Sequence, residues 1–159
     1  MIPKLPIDDR FSPAIRFFLS DLKRKSFHGD ISVDLADRVS LSSDNSVYHN
    51  CPQVVIFPKY EQDIVVMMRL ASADQFSSIV FSPRGGGTGT NGQSLTNGIL
   101  VDCSRYMRKI IEIDDLGRWV KVQPGVILDQ LNEALKPIGV FLPLSISTSN
   151  RATLGGMFN

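Results

Sequence analysis

Five of the eleven residues in SPRGGGTGTNG, residues 82–92, are glycines, interleaved with Arg84, Thr88 and Thr90. Bare backbone at this density suits a chain that must adopt left-handed dihedrals or let another group come close. The chemistry such a loop offers is anion binding. Successive backbone N–H groups turn inward as a nest, no Cβ stands in the way, and the guanidinium and hydroxyls add donors. A structural Ω-like loop is the plain alternative. Two narrower readings can be tested. Gly87, Gly89 and Gly92 satisfy G-x-G-x-x-G, but that fingerprint works by aiming a helix N-terminus at a pyrophosphate. The following GQSLTNG is too short and polar for a helix and leads straight into a strand, which excludes a Rossmann dinucleotide site. A P-loop is excluded too, because no Lys-Ser/Thr pair follows the last glycine.

The surrounding sequence must position this loop. QVVIF (53–57) is a short apolar run ended by Pro58 and reads as a buried strand. EQDIVVMMRLASADQ (61–75) carries a helical apolar face, with Met67 and Met68 as core filler, and SIVF (78–81) reads as a second strand. Strand, helix, strand predicts a βαβ unit with parallel strands, and the glycine loop leaves its second strand. GILVD (98–102) predicts a third strand, and RKIIEID and RWVKV flank DLG as a β-hairpin. GVILDQLNEALKPIG (125–139) predicts a second amphipathic helix, whereas 140–159 reads as polar and irregular. Upstream, residues 1–10 read as an extended lead-in, and 12–25 as a helix capped by Ser12 with Lys23, Arg24 and Lys25 as a solvated end.

Composition narrows the function classes. The chain has 159 residues, 17 Lys+Arg against 16 Asp+Glu and a net charge of +1, so nothing in its charge points to nucleic acid or a polybasic membrane contact. The N-terminus lacks the apolar core of a signal peptide, and no apolar run approaches the roughly 18 residues of a membrane-spanning helix. Cys51 and Cys103 have neither metal-ligand spacing nor the number of a disulfide framework, which predicts a reduced, cytoplasmic setting and no metal site. His28 and His49 are expected to be structural or exposed. Gly155-Gly156 opens a motif that stops three residues later, so the chain is expected to be a piece of a longer protein.

PRGGGTGTNGQSLTNGILVD, then VQPGVILDQLNEAL, then STSNRATLGGM closely resemble the FAD-binding domain of the vanillyl-alcohol oxidase / p-cresol methylhydroxylase (PCMH-type) flavoprotein superfamily. Within it, these segments and the lead GDISVDLADRVSLSSDNSVYHNCPQVVIFPK are most similar to bacterial FAD-linked 2-hydroxyacid dehydrogenases of the D-2-hydroxyglutarate type, which carry a C-terminal iron–sulphur region. The resemblance implies an α+β fold: a small parallel βαβ subdomain plus the start of a second, mixed or antiparallel α+β subdomain. It implies a helical lead-in over 1–50 and an FAD-binding domain over 51–159.

The resemblance also implies roles. Arg84, Gly85, Gly86, Gly87, Thr88, Gly89 and Thr90 would hold the FAD pyrophosphate mainly through backbone amides, with Asn91, Gln93 and Ser94 just beyond. Pro143, Ser147, Thr148 and Ser149 would lie along the flavin or its ribityl chain. Thr153, Gly155 and Gly156 would form a second phosphate-side contact, with Asn159 at its edge. Thr88 stands where some members carry a flavin-tethering histidine, which implies non-covalent FAD. The implied reaction is hydride transfer from the α-carbon of a 2-hydroxy acid to flavin N5, with electrons leaving through another acceptor. Catalytic residues and any iron–sulphur cluster would lie downstream, so this segment alone is expected to be inactive. The alternatives are another superfamily enzyme, of the alditol oxidase or cell-wall-precursor reductase type, or a non-redox nucleotide- or anion-binding module.

Overall fold

A computed structural model describes residues 11–158; the extended lead-in expected at 1–10 lies outside them. The chain forms an α+β structure with two hydrophobic centres. The first contains a four-stranded sheet of β1 (Asp30–Ser32), β2 (Val54–Phe57), β3 (Phe81–Arg84) and β4 (Ile99–Asp102), in the order β1-β2-β4-β3. β2 and β3 each pair parallel to β4, and β1 pairs antiparallel to β2. The two strands of the expected βαβ unit therefore run parallel, with β4 inserted between them.

All four residues of β2 are buried because both of its faces are covered. Val54 and Ile56 pack with Ile15, Phe18 and Leu22 of α1 (Pro13–Lys23) and Met67 of α3 (Glu61–Ala71). Val55 and Phe57 face the other way, onto Leu100, with Leu41 against them at the end of α2 (Leu35–Ser40). Ser12 caps α1 by accepting from the Ile15 amide at 3.2 Å, and Pro13 fits the first turn because that position needs no amide donor. Asp63 secures the start of α3: its buried carboxylate accepts from the amides of Lys59 (2.8 Å), Tyr60 (3.1 Å) and His28 (2.8 Å).

Several boundaries differ from expectation. α3 ends at Ala71, and a 3-10 turn at Asp74–Phe76 carries Phe76 into the core, its ring 5.3 Å from that of Phe18 in edge-to-face contact. This detour delays the second strand from 78 to 81. Met67 is buried as expected, but Met68 is half exposed on the outer side of α3. β1 and α2 are additions to the expected elements. A three-residue edge strand is too short to show an alternating pattern. Both arise within residues 11–50, which supply α1, β1 and α2 to the first core.

The second centre holds the hairpin of β5 (Ile110–Ile113) and β6 (Val120–Val122) against α4 (Leu128–Leu135). Leu128, Leu131 and Leu135 present one buried helical face to Val126 and Leu154, with Ile110, Ile113, Val120 and Val122 packed around them. α4 is shorter than the 125–139 pattern because Pro137 cannot donate to the ladder, and the chain tightens into a 3-10 turn at Lys136–Ile138. A last helix, α5 (Leu154–Met157), lies where the sequence reads as irregular. Among the described residues, no helix is long and apolar enough to cross a membrane, and no group of three or more His, Cys, Asp or Glu is placed to hold a metal ion.

Candidate functional site

The glycine loop leaves the carboxyl end of β3, the edge of a parallel sheet where open α/β sheets present their ligand crevices. It faces the 146–157 segment across an open cleft of about 540 Å³. Gly85, Gly86, Gly87, Thr88, Gly89, Thr90, Gln93 and Ser94 form one wall; Thr148, Thr153 and Gly156 belong to the other. The structure thus brings together most of the residues that the sequence singles out.

The far wall is anchored to the second core. Leu154 N donates to the Val126 carbonyl at 2.8 Å, Gly155 N to the Pro124 carbonyl at 2.9 Å and Leu128 N to the Ala152 carbonyl at 3.2 Å. These bonds stitch 152–155 beside 124–128 and fix where α5 begins. The two walls then meet at their base in close contact, with no room for a side chain on Gly85 or Gly86. A Cβ on Gly85 would overlap Thr153 Oγ1, and one on Gly86 would overlap the Arg151 carbonyl oxygen. Arg151 Nη2 also lies 3.4 Å from the Gly86 carbonyl.

Among the described residues, no oxygen accepts from the backbone amides of residues 85–90. Six consecutive donors thus stand in a loop that lines a cleft, with the hydroxyls of Thr88, Thr90, Thr148 and Thr153 around them. Gly87 has φ +64°, the left-handed conformation that lets neighbouring amides converge. Gly156, opposite, has only Thr153 Oγ1 near the position of a Cβ, at 3.6 Å, so its missing side chain leaves cleft space. A cradle of amides and hydroxyls with no carboxylate among its lining residues fits a pyrophosphate.

Other expected residues fall elsewhere. Arg84 does not line the cleft: its buried guanidinium donates to the Ser43 carbonyl at 2.8 Å and lies 3.4 Å from Ser94 Oγ. Burial pulls its pKa down, opposed by the carboxylates of Asp102 and Asp44. Gly155 lies behind the loop with Cys103 and Pro124, packed so closely that a Cβ would press on the Pro124 ring. Pro143 and Ser147 are exposed and outside the cleft lining, Asn91 is exposed, and the Ser149 carbonyl is taken by the Asp129 amide. Asn159 lies outside the described residues. Conversely, Pro83, Ile146, Ala152 and Met157 line the cleft without having been expected there. Ile146 and Met157 are apolar residues within a polar or glycine-rich stretch, the one signal that could have found them.

The two histidines and Cys103 lie outside the cleft lining. His49 Nε2 lies 2.7 Å from Ser42 Oγ, and the exposed His28 ring lies 3.5 Å from the Asp63 carboxylate. Burial, with the Asp102 carboxylate beside it, pushes the Cys103 thiol up to about 11, which makes it a poor nucleophile.

Comparison with known proteins gives the family and the fold. Residues 52–159 match the sequence pattern of a family described as "FAD binding domain". The whole chain is 52% identical to a D-2-hydroxyglutarate dehydrogenase of Pantoea ananatis and 49% identical to one of Escherichia coli, covering 16% of each. The chain thus spans about a sixth of the length of these relatives. Among solved structures, an alkyldihydroxyacetonephosphate synthase aligns over 96% of this chain and 30% of its own, with TM-score 0.77 at 20% identity. The BBE-like 1 protein of Physcomitrella patens aligns over 86% of this chain and 29% of its own, with TM-score 0.70 at 18% identity. At these identities the structural likeness concerns the fold.

Proposed function

This chain belongs to the FAD binding domain family, and we propose that in the full-length protein it holds the FAD of an enzyme that oxidises a D-2-hydroxy acid. The observation that carries this reading is the run of six amides at 85–90 with no acceptor among the described residues, facing Thr148, Thr153 and Gly156 across one cleft. In this reading the amides of Gly85 to Thr90 and the hydroxyls of Thr88, Thr90 and Thr153 bind the pyrophosphate. Gln93 and Ser94 close that end, and Thr148 lies along the ribityl chain. Gly156 leaves room for a phosphate to approach the backbone. Arg84 and Gly155 support these contacts from behind, while Pro143, Ser147 and Asn159 mark the approach to the flavin and the cleft's outer edge.

Bound FAD supplies the two-electron acceptor for the hydride at the substrate's α-carbon. This segment's part is to bind and orient it. The base that takes the hydroxyl proton, the substrate contacts, the electron acceptor and any iron–sulphur cluster belong to the rest of the protein. Thr88, where a tethering histidine would stand, supports non-covalent FAD. Two free cysteines, Cys51 and Cys103, support a cytoplasmic setting. The D-2-hydroxyglutarate dehydrogenases that match along the whole chain favour a 2-hydroxy acid over an alditol or a cell-wall precursor, and a redox role over a plain anion module.

The test uses the full-length protein. It should purify yellow, release FAD into the supernatant on acid denaturation, and bleach anaerobically when D-2-hydroxyglutarate is added. A colourless protein that cannot be reconstituted with FAD would sink the reading; a flavin that bleaches only with an alditol would move the substrate class.

A further inference from the structure

The glycine loop is held from outside by a turn that precedes the family-matched residues. Residues 42–50 fold back on themselves: Ser43 bridges His49, and Asn50 N donates to the Ser42 carbonyl at 2.9 Å. This turn meets the loop at three points. The Arg84 guanidinium donates to the Ser43 carbonyl at 2.8 Å. Ser94 Oγ, 3.4 Å from Arg84 Nη1, lies 3.4 Å from Asp44 Oδ2. The Tyr48 ring lies against Gly92, where a Cβ would come within 3.0 Å of it.

Arg84 is the hinge of this arrangement. Its guanidinium lies beneath Gly87, on the side where a Cβ would project, and so backs the one loop residue with a left-handed conformation among 84–91. Burial makes an unpaired guanidinium costly, so its bonds to Ser43 and Ser94 fix its position, and with it the floor of the loop. Asp44 complements that charge. Its own carboxylate is pushed up by burial, but hydrogen bonds from Ser46 and Ser94 and the Arg84 charge hold it below its ordinary value. A loop with few side chains and unpartnered amides would otherwise lose considerable backbone entropy on gripping an anion.

We infer that residues 42–50 act as a clasp that pre-sets the glycine loop for its ligand, with Asp44 and Tyr48 as positioning residues working through Arg84, Ser94 and Gly92. This rests on the FAD reading above and adds a determinant from outside residues 52–159. Neither Asp44 nor Tyr48 lines the cleft.

The test compares full-length wild type with Asp44→Ala and Tyr48→Ala, following FAD release by recovery of flavin fluorescence and binding of ADP and of riboflavin to the apoprotein. Tyr48 is 60% exposed, so the thermal midpoint of the Tyr48→Ala apoprotein should stay at the wild-type value, while that of Asp44→Ala, which removes one countercharge of the buried Arg84, should fall by no more than a few degrees. FAD should leave each variant on the order of tenfold faster, the scale of a lost hydrogen bond or contact. ADP affinity should fall in proportion while riboflavin affinity holds. Wild-type FAD release in both variants would overturn the clasp and leave the FAD site standing, as would equal losses for ADP and riboflavin, the mark of general unfolding. A wild-type protein that binds no FAD would remove both readings.

Discussion

Gly86 and Arg151 meet backbone to backbone: a methyl group added at Gly86 would fall on the Arg151 carbonyl oxygen. A methyl group added at Gly85 would fall instead on a side-chain atom, Thr153 Oγ1. Three of the loop's glycines therefore divide between two tasks. Gly85 and Gly86 let the two halves of the structure touch, and Gly87 gives the loop its left-handed turn.

Gly86→Ala should consequently act on stability as well as on the ligand. Forcing the two segments apart costs about 1–3 kcal/mol, as overpacking does elsewhere. The thermal midpoint of the apoprotein should fall; a midpoint equal to wild type would mean that the loop and 151–153 are not packed as described.

Gly156→Leu should do the opposite. The Cβ position is open apart from Thr153 Oγ1 at 3.6 Å, and the residue lies in α5, so the backbone tolerates a side chain. The new side chain occupies the cleft. The protein should purify without flavin while its apoprotein midpoint stays near wild type, and full flavin content in this variant would contradict the placement of FAD.

Asp63→Ala tests the first core. Its carboxylate is fully buried and accepts from three amides, joining the residue 28 region to the start of α3. Removing it strands those donors and should cost roughly 3 kcal/mol, read from denaturant unfolding. A loss no larger than that of an average surface substitution would count against the described geometry.

Asp30 gives a pH-dependent contribution. Its carboxylate accepts from Lys59 Nζ at 2.7 Å and from the Tyr106 hydroxyl, linking β1 to the turn after β4. The Lys59 hydrogen bond first, then that of Tyr106, holds its pKa below the ordinary 3.8. A depressed carboxylate stabilises the fold above its unfolded pKa and loses that contribution as pH falls through the folded value. Asp30→Asn should therefore be less stable than wild type at neutral pH, with the gap closing as pH drops below 3.8. A gap that persists undiminished in acid would refute the link.

The sequence by itself determined the local devices, and its family resemblance pointed to the kind of ligand. Ser12-Pro13 reads as a helix start, VVIF reads as a buried strand, and five glycines in eleven residues without a following helix leave an amide nest or a structural loop. The family resemblance was legible in the same residues, and the FAD family match stands on them. Tertiary structure decided the rest, because it depends on groups far apart in the chain. Phe76 turned into the core against Phe18 and moved the second strand, an effect of packing that periodicity does not encode. α5 formed because 152–155 bonds to 124–128, not because LGGM favours a helix. Arg84 reads as an anion donor when only its neighbours are considered. Ser43, 41 positions away, turns it into the support beneath the loop.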